Sequence, residues 1–94
     1  MKIKKGYLLR KAVQENIVIY IGDDENELNG IIRLNNAGVI LWKLMTEGKT
    51  RQEIVNAMVE MYRGLDEETA KRDLSEFINT VKFAIEDDEA DSDS

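Results

Sequence analysis

The sequence predicts an α+β domain in which a three-stranded antiparallel meander precedes three helices. In the first third of the 94-residue chain, β-branched, aromatic and aliphatic residues form short runs separated by polar turns, a pattern typical of strands. In the remainder, apolar residues recur at helical spacing between residues that commonly begin and end helices. A chain of this length can form one modest core, so we expect a single domain.

The strands follow from the apolar runs and the turns between them. Residues 7–13 and 17–21 are the first two strands, and residues 14–16 form a short polar turn between them. Residues 17–21 are apolar at every position, which is typical of a central strand covered on both faces. Residues 22–27, four of which are acidic, form a turn, and a third strand runs from about residue 28 to residue 34. Short loops usually join neighbouring strands, so the three are expected to form a meander.

The first two helices are marked by the residues at their ends. Asn35 can cap a helix over residues 36–45, and Gly48 can end it in the left-handed conformation that glycine adopts readily. Thr50 and Glu53 have the spacing of a capping box, in which each side chain accepts a hydrogen bond from a backbone N–H of the other residue. The apolar positions at helical spacing are Val39, Ile40, Leu41, Trp42, Leu44 and Met45 in the first helix, and Ile54, Val55, Met58, Val59 and Tyr62 in the second.

The third helix is the longest. Gly64 closes the helix before it, and Asp66 caps it, followed by two acids in the positive first turn. Phe83 falls almost opposite its apolar stripe, so either the helix ends near Lys82 and the ring folds back, or the ring is exposed for a partner. The first is favoured because an acidic segment soon follows. Three strands followed by three helices resemble a winged-helix arrangement with the wing at the front. The stripe consists of Ala70, Leu74, Phe77, Ile78, Val81 and Ile85.

Composition argues against catalysis and cofactor binding. The chain has no Cys and no His, which removes disulfides, thiolate nucleophiles, imidazole bases and the usual transition-metal ligands. Its carboxylates fall on predicted exposed helix faces or in turns, and it has no glycine-rich phosphate loop. We therefore expect a protein that is not an enzyme and takes no metal or cofactor. No run is long enough to cross a membrane and no signal peptide is present, so we expect a cytoplasmic protein without a membrane partner.

Charge is distributed unevenly along the chain. Of the 19 acids and 13 bases, six acids and no base lie in residues 86–93, which leaves 13 of each in residues 1–85. Residues 87–94 are acidic and rich in serine, which predicts a disordered tail after a domain of residues 1–86. The tail lacks the glycine and the final Glu of a calcium loop. The front of the chain is basic instead, through Lys2, Lys4, Lys5, Arg10 and Lys11.

A winged-helix domain with a basic front could bind DNA, with those five bases on phosphates. The last helix would then be the recognition helix, but its acids outnumber its bases. That face would repel phosphate, so we expect no nucleic-acid partner and keep a winged-helix DNA-binding protein as the alternative. The acids are Asp66, Glu67, Glu68, Asp73 and Glu76, and the bases are Lys71, Arg72 and Lys82.

The third strand is the first candidate site. In a meander it lies at an edge, where unpaired N–H and C=O groups can pair with another chain. Residues 30–34 contain no Pro and a single charge, Arg33, so the edge lacks the residues that usually protect it. The functional interpretation is addition of an extended peptide as a further strand. The alternatives are that a helix covers the edge, that Gly30 marks a bulge, or that a homodimer forms through this strand.

The apolar stripe of the last helix is the second candidate site. Most of the stripe belongs to the core, but a helix beside an open sheet edge can leave part of its stripe lining a groove. Asp73 and Lys82 flank the stripe on opposite sides and could set a charge preference. The side of the helix that faces the groove is left open.

The sequence contains the pattern Leu-Asn-x-x-Gly-x-x-Leu-Trp at residues 34–42, followed by Gly-x-Thr-x-x-Glu at residues 48–53. These two segments resemble the PqqD-like family, which includes the pyrroloquinoline quinone synthesis protein D and the leader-peptide recognition elements of ribosomally made, modified peptides. The resemblance covers about residues 5–85, and the two segments are its most specific part. A departure follows Val81, where relatives often have a glycine and a short apolar end but this chain continues to Phe83.

The resemblance implies a winged-helix-like domain without catalysis of its own, in which a precursor's leader peptide adds as a fourth strand and packs against the third helix. The domain would deliver the precursor to a modifying enzyme, often a radical S-adenosylmethionine (SAM) protein. The departure after Val81 leaves open the end of the groove and the identity of the leader. The implied peptide-binding residues are Asn29, Gly30, Ile31, Ile32, Arg33 and Leu34 in the strand, and Asp73, Leu74, Phe77, Ile78, Val81 and Lys82 in the helix.

Overall fold

The elements follow one another in the predicted order, with one small sheet added. A computed structural model describes residues 1–27 and 31–87 of the chain. The α+β class and the meander followed by three helices are confirmed. Within the described residues the strands are β1 (Lys2–Ile3), β2 (Tyr7–Ala12), β3 (Glu15–Tyr20), β4 (Ile31–Leu34) and β5 (Ile85–Asp87), and the helices are α1 (Asn36–Thr46), α2 (Arg51–Met61) and α3 (Glu67–Val81), with a 3₁₀ turn at Lys82–Ala84.

The first hairpin turns earlier than predicted. β2 and β3 pair antiparallel with Ala12 opposite Glu15, so the loop between them is only Val13 and Gln14. Val13 has a φ of 57° and is 94 % exposed. Two-residue hairpin loops require residues with positive φ, and this geometry overrides the preference of valine for strands. The predicted turn at residues 14–16 is therefore wrong, because Glu15 already belongs to β3.

β3 is the central strand in the order β2–β3–β4, and the helices cover only one of its faces. Val18 is completely buried and clusters with core residues of all three helices. Ile17 and Ile19 alternate onto the opposite face and are half-buried, and Ile21 just beyond the strand is 63 % exposed. The prediction that residues 17–21 are covered on both faces is wrong, because the helices share one side of the sheet.

Each helix begins at the residue that the sequence indicates. The side chains of Asn35 and Asp66 accept hydrogen bonds from backbone N–H groups of α1 and α3, at 2.8 and 2.7 Å. Thr50 and Glu53 form the predicted capping box at the start of α2. Gly48 follows α1 with a φ of 81°, the left-handed conformation expected after a helix end. In the part of the chain that the structure describes, no helix is long and apolar enough to cross a membrane.

The hydrophobic core lies between the meander and the helices. Leu34 of β4, Trp42 of α1 and Val81 of α3 belong to the same buried cluster. Each large apolar side chain buried in this way contributes about 1.5–3 kcal/mol, so the core holds β4 and α3 in a fixed relation. The other buried members are Met1, Tyr7, Val18, Leu41, Met45, Ile54, Val55, Met58, Ala70, Leu74, Ile78 and Ala84.

A second, two-stranded sheet joins the two ends of the described chain. β1 pairs antiparallel with β5, with Ile3 opposite Ile85, and the N–H of Lys4 donates to the carbonyl oxygen of Ala84 at 2.8 Å. Ile85, predicted to lie on the stripe of the last helix, is in β5 because α3 ends at Val81 and the 3₁₀ turn redirects the chain. Pairing between such short and distant segments leaves no local periodicity in the sequence.

The C-terminal end of the described chain folds back onto the front. The ring of Phe83 lies 5.5 Å from that of Tyr7, centroid to centroid, which confirms the predicted return of this aromatic side chain to the domain. Asp87, the first residue of the predicted tail, is the last residue of β5. The rest of the predicted tail, residues 88–94, lies outside the described residues, and its disorder stays a prediction.

Candidate functional site

The hydrogen-bond pattern of the sheet determines which backbone groups face its edges. The N–H of Ile21 donates to the carbonyl oxygen of Gly6 at 2.7 Å, so these two opposed residues form a hydrogen-bonded pair. Bonded and non-bonded pairs alternate along antiparallel strands. Ile21 bonds toward β2, so the alternation along β3 makes Val18 and Asn16 direct their backbone groups away from β2 and toward β4.

The backbone groups of β4 alternate between β3 and the open edge of the sheet. Ile32 and Leu34 lie opposite Val18 and Asn16, and their backbone groups bond to β3. The N–H and C=O groups of Ile31 and Arg33 point away from β3, toward the open edge. Within residues 1–27 and 31–87, no strand pairs with this edge. The edge therefore offers donors and acceptors at the spacing that an added strand requires.

The side chains of β4 divide between the two faces of the sheet. Leu34 is buried and Ile32 is half-buried on the helix side. Ile31 is 48 % exposed on the outer face, beside Arg33, whose Nε lies 3.0 Å from Oε1 of Glu15. This ion pair runs along the outer face, so it does not cover the edge.

A groove of about 630 Å³ lies between the helices at the end of β4. Asn35, which directly follows β4, is one of its lining residues, so the groove adjoins the open strand. Asp73, Phe77 and Thr80 line it from α3 at spacings of four and three, on one line of the helix. The remaining lining residues are Ala37, Gly38, Leu41, Met58, Tyr62, Arg63, Gly64, Leu65 and Glu76.

The groove combines an apolar floor with a mainly acidic wall. Leu41 and Phe77 contribute apolar surface from α1 and α3. Asp73 and Glu76 of α3 lie at the wall and are exposed, and Arg63 after α2 is the base among the lining residues. Such a groove suits an apolar side chain that has a cation near it.

Among the described residues, the two carboxyl groups with shifted pKa values cap helices and do not line the groove. The backbone N–H of Thr69 lowers the pKa of Asp66, and the backbone N–H of Thr50 lowers the pKa of Glu53. Both shifts favour the ionised form, whereas a carboxyl group acting as general acid near neutral pH needs a raised pKa. In the described part of the chain, no three acidic side chains lie close enough together to hold a metal ion.

One protein family matches most of this sequence. The family described as coenzyme PQQ synthesis protein D (PqqD) matches residues 15–82. That interval contains β3, β4, all three helices and every lining residue of the groove. This chain belongs to the PqqD family. The resemblance inferred from the segments at residues 34–42 and 48–53 is thereby confirmed.

A solved structure of similar fold extends the comparison beyond the matched interval. The structure of TbiB1 in complex with the TbiA(beta) leader peptide is similar to this PqqD-family chain, with a TM-score of 0.71 and 27 % sequence identity. The similarity covers 87 % of this chain and 88 % of TbiB1. The two proteins therefore share the fold over nearly their full lengths. No curated protein sequence matches the chain.

The strand residues expected to bind a peptide are placed by this fold only in part. Ile31, Ile32, Arg33 and Leu34 form the edge strand β4. Asn29 and Gly30 lie outside the described residues, so the alternative that Gly30 marks a bulge stays open. No helix or strand of the described residues pairs with the outward backbone groups of β4.

The helix residues expected to bind a peptide separate into two groups. Asp73 and Phe77 line the groove. The side chains of Leu74, Ile78 and Val81 point into the core. Asp73, Phe77 and Thr80 each directly precede one of these residues, so they lie about 100° around the helix from them, the angle between successive helical residues. Leu74, Ile78 and Val81 therefore support the groove from beneath and are not accessible to a partner, whereas Phe77 of the same stripe lines the groove. Of the other predicted residues, Leu74, Ile78 and Val81 are 2 %, 7 % and 0 % exposed, and Lys82 is exposed in the 3₁₀ turn, outside the lining residues.

Several lining residues were not expected from the sequence. Gly38 is buried inside α1, where glycine costs about 1 kcal/mol relative to alanine, and that unfavourable choice is a usable signal of close packing. Thr80 continues the line of Asp73 and Phe77, so its spacing could have indicated it. Tyr62 directly follows α2; its helical spacing indicated an apolar position of that helix but did not indicate that it lines the groove.

Proposed function

We propose that this chain binds the leader segment of a ribosomally synthesised precursor peptide by adding it as a strand to β4. The observation that carries the proposal is the open edge at Ile31 and Arg33 beside the groove at Phe77. The similar structure supports it, because TbiB1 was solved in complex with a leader peptide. In this proposal the bound precursor is then presented to a modifying enzyme.

Backbone pairing gives the leader its direction and register. An extended peptide would exchange hydrogen bonds with the outward groups of Ile31 and Arg33. Successive side chains of a strand point to opposite faces, so alternate leader residues would reach the helix side of the sheet. A backbone hydrogen bond contributes a net of about 0.5–1.5 kcal/mol whatever the sequence. Pairing therefore adds affinity without selecting one leader over another.

Selection comes from the groove. An apolar side chain buried against Leu41 and Phe77 would contribute about 1.5–3 kcal/mol. Asp73 and Glu76 would favour a Lys or Arg beside that anchor, at about 0.2–1 kcal/mol for an exposed ion pair. We therefore expect the recognised leader segment to contain a large apolar residue with a base nearby.

The chain itself performs no chemistry in this proposal. It has neither Cys nor His, and its capping carboxylates Asp66 and Glu53 are held ionised for structural reasons. The modifying enzyme supplies the reaction. The family resemblance points to a radical SAM enzyme as that partner, and no cofactor is assigned to the chain.

The proposal is tested by titrating isotope-labelled protein with synthetic leader peptides of candidate precursors. Amide NMR signals of Ile31 and Arg33 are expected to shift together with those of Asp73 and Phe77. A matched leader with proline at alternate positions should bind much more weakly, because it lacks the N–H donors for pairing. Shifts confined to α1 or to the basic N-terminus, with β4 silent, would overturn the proposal.

Self-association through β4 would use the same edge as the leader. Measuring the molecular mass in solution distinguishes it from leader binding. If two copies pair through this strand, light scattering shows a dimer that dissociates as the leader is added. A dimer that persists with the leader bound would show that self-association uses another surface. DNA binding is disfavoured by the acids exposed on α3, which are Glu67, Glu68, Asp73 and Glu76.

A further inference from the structure

The edge of the sheet opposite β4 forms a second surface of opposite charge. β2 is the other outer strand, and a groove of about 550 Å³ lies between it and α1. Leu9 and Trp42 are apolar lining residues, and Lys4, Lys5 and Lys43 line it with cations. We propose that this surface, the basic edge, binds an acidic extended segment of a second protein. The inference goes beyond the proposed function and does not depend on it.

The backbone of the basic edge is available for strand addition. The bonded pair of Gly6 and Ile21 fixes the alternation along β2, as it does along β3. Leu8 and Arg10 therefore bond to β3, and Leu9 and Lys11 direct their N–H and C=O groups outward. Among the described residues, β1 pairs with β5 and no strand pairs with the outer side of β2.

Charge complementarity determines the chemistry of the occupant. Lys5 and Lys43 are exposed. Lys4 forms an ion pair with Glu27 at 3.3 Å, and Glu47 is the acid among the lining residues. Lys11, also exposed, continues the positive charge along the strand. The groove at α3 has the opposite charge balance, with more acidic than basic lining residues. An acidic segment is therefore attracted to the basic edge and repelled from the groove at α3.

An acidic polypeptide fits the basic edge better than a nucleic acid does. Outward N–H and C=O groups at Leu9 and Lys11 match a strand, which carries both donors and acceptors along its backbone. A phosphate backbone carries acceptors alone and would leave the C=O groups unpaired. The apolar surface at Leu9 and Trp42 would contact alternate side chains of an added strand.

The two edges can be occupied at the same time. β3 separates β2 from β4, so partner strands added outside them lie four strand spacings apart, about 19 Å. If the proposed leader occupies β4, the basic edge leaves a separate place for a second protein. The two sites would then bind independently.

The test uses a synthetic peptide of about eight residues, a usual strand length, that alternates Glu and Val. Trp42 is the only tryptophan of the chain and lines this groove, so its fluorescence reports binding. We expect a fluorescence change, amide NMR shifts at Leu9 and Lys11, and affinity that falls as salt is added. A peptide of alternating Lys and Val is the charge control and should not bind here.

Two exposed lysines carry the charge test. The double variant Lys5→Glu/Lys43→Glu is expected to bind the acidic peptide at least about tenfold more weakly, since it replaces attraction by repulsion. Lys71→Glu, a single charge reversal on α3, is the control and should bind as the native chain does. Equal losses in both variants, no binding by the native chain, or shifts at Ile31 and Arg33 in place of Leu9 and Lys11 would overturn the inference.

A backbone variant separates strand addition from charge attraction. Lys11→Pro removes an outward N–H without removing a bond to β3, and Lys11→Ala removes the same side chain only. We expect the proline variant to bind more weakly than the alanine variant. Equal binding would overturn strand addition, and tighter binding of a single-stranded DNA of the same length would overturn the choice of a polypeptide.

The chain's own acidic residues at positions 88–93 would compete with a second protein for the basic edge. A full-length variant with Asp88, Glu89, Asp91 and Asp93 changed to their amides should leave the amide signals of Leu9 and Lys11 unchanged. Shifts at those positions would show that the chain's own tail contacts the basic edge, and would overturn the assignment of a second protein.

Discussion

The ring of Phe77 in α3 faces Gly38 of α1 at the floor of the groove. A Cβ atom placed on Gly38 would lie 3.2 Å from Cε1 of Phe77, 3.3 Å from Oδ1 of Asn35 and 3.4 Å from Cβ of Leu34. These distances are at or below the limit of ordinary contact. The missing side chain therefore allows the end of β4, the start of α1 and the ring of Phe77 to meet at one point.

The first prediction concerns this contact. Gly38→Ala should displace the ring of Phe77 and weaken leader binding severalfold. Stability should change by less than about 1 kcal/mol, because the higher helix propensity of alanine offsets the crowding. Peptide titration and thermal unfolding of the same variant measure the two effects.

Gly48→Ala is the control for that variant. Gly48 has a φ of 81° and nothing within 4 Å of its missing Cβ, so alanine there costs about 1–2 kcal/mol through backbone strain alone. Leader affinity should be unchanged. Native affinity in Gly38→Ala would show that the position of the Phe77 ring does not matter for binding.

The second prediction separates the groove from the core on α3. Phe77→Ala should reduce leader affinity strongly while the domain stays folded, because Phe77 is only half-buried. Leu74→Ala should lower the free energy of unfolding by about 2–5 kcal/mol, because Leu74 is fully enclosed. Denaturant unfolding and peptide titration of both variants provide the comparison. A Leu74→Ala protein that remains folded but loses binding as completely as Phe77→Ala would contradict this division.

The third prediction addresses the outward N–H of Arg33. Arg33→Pro should bind the leader about tenfold more weakly than Arg33→Ala, which corresponds to about 1.4 kcal/mol for one lost hydrogen bond. Both variants lose the exposed ion pair with Glu15, so their difference isolates the backbone donor. Ile32→Pro should instead destabilise the fold, because its N–H bonds to β3. Equal affinities for the two Arg33 variants would show that the leader does not pair with this edge.

The fourth prediction is a loss of stability in acid. Backbone N–H groups lower the pKa of Asp66 and of Glu53, so each carboxylate stabilises the fold at pH values above its unfolded-state pKa. That contribution is lost as the pH falls through the folded-state pKa, because the unfolded chain then binds more protons. The unfolding temperature, followed by circular dichroism, should therefore decrease in acid.

The double variant Asp66→Asn/Glu53→Gln tests the source of that decrease. Both amides can still accept the capping hydrogen bonds but do not titrate. The unfolding temperature of the variant should therefore depend less on pH than that of the native chain. An identical acid dependence in the two proteins would show that other carboxylates are responsible.

Local chemistry made the helices and their ends predictable. Asn35, Thr50 and Asp66 cap the helices as expected because a cap depends on side chains within three residues of the helix start. The order of strands was predictable for a similar reason, since short connections join neighbours. Val13 shows the limit, because its preference for strands was overridden by the geometry of a two-residue hairpin.

Contacts between distant segments decided what the sequence could not. Pairing of Ile3 with Ile85 depends on the return of the chain after α3. The sequence of neither segment has a periodicity that predicts this pairing. The division of α3 into a buried line at Leu74 and a groove line at Phe77 depends on which neighbours cover each side. A stripe that looks uniform in sequence is therefore used in two ways.

The sequence by itself determined the α+β class, the helix caps, the absence of thiol and imidazole chemistry, and the strand that carries the candidate site. Each of these depends on composition or on residues close together in the chain. Only the tertiary structure decided that Ile31 and Arg33 turn their backbone groups outward and that Phe77 lies over Gly38. The reason is physical: hydrogen-bond alternation and close packing are properties of paired elements, and neither exists until the elements meet.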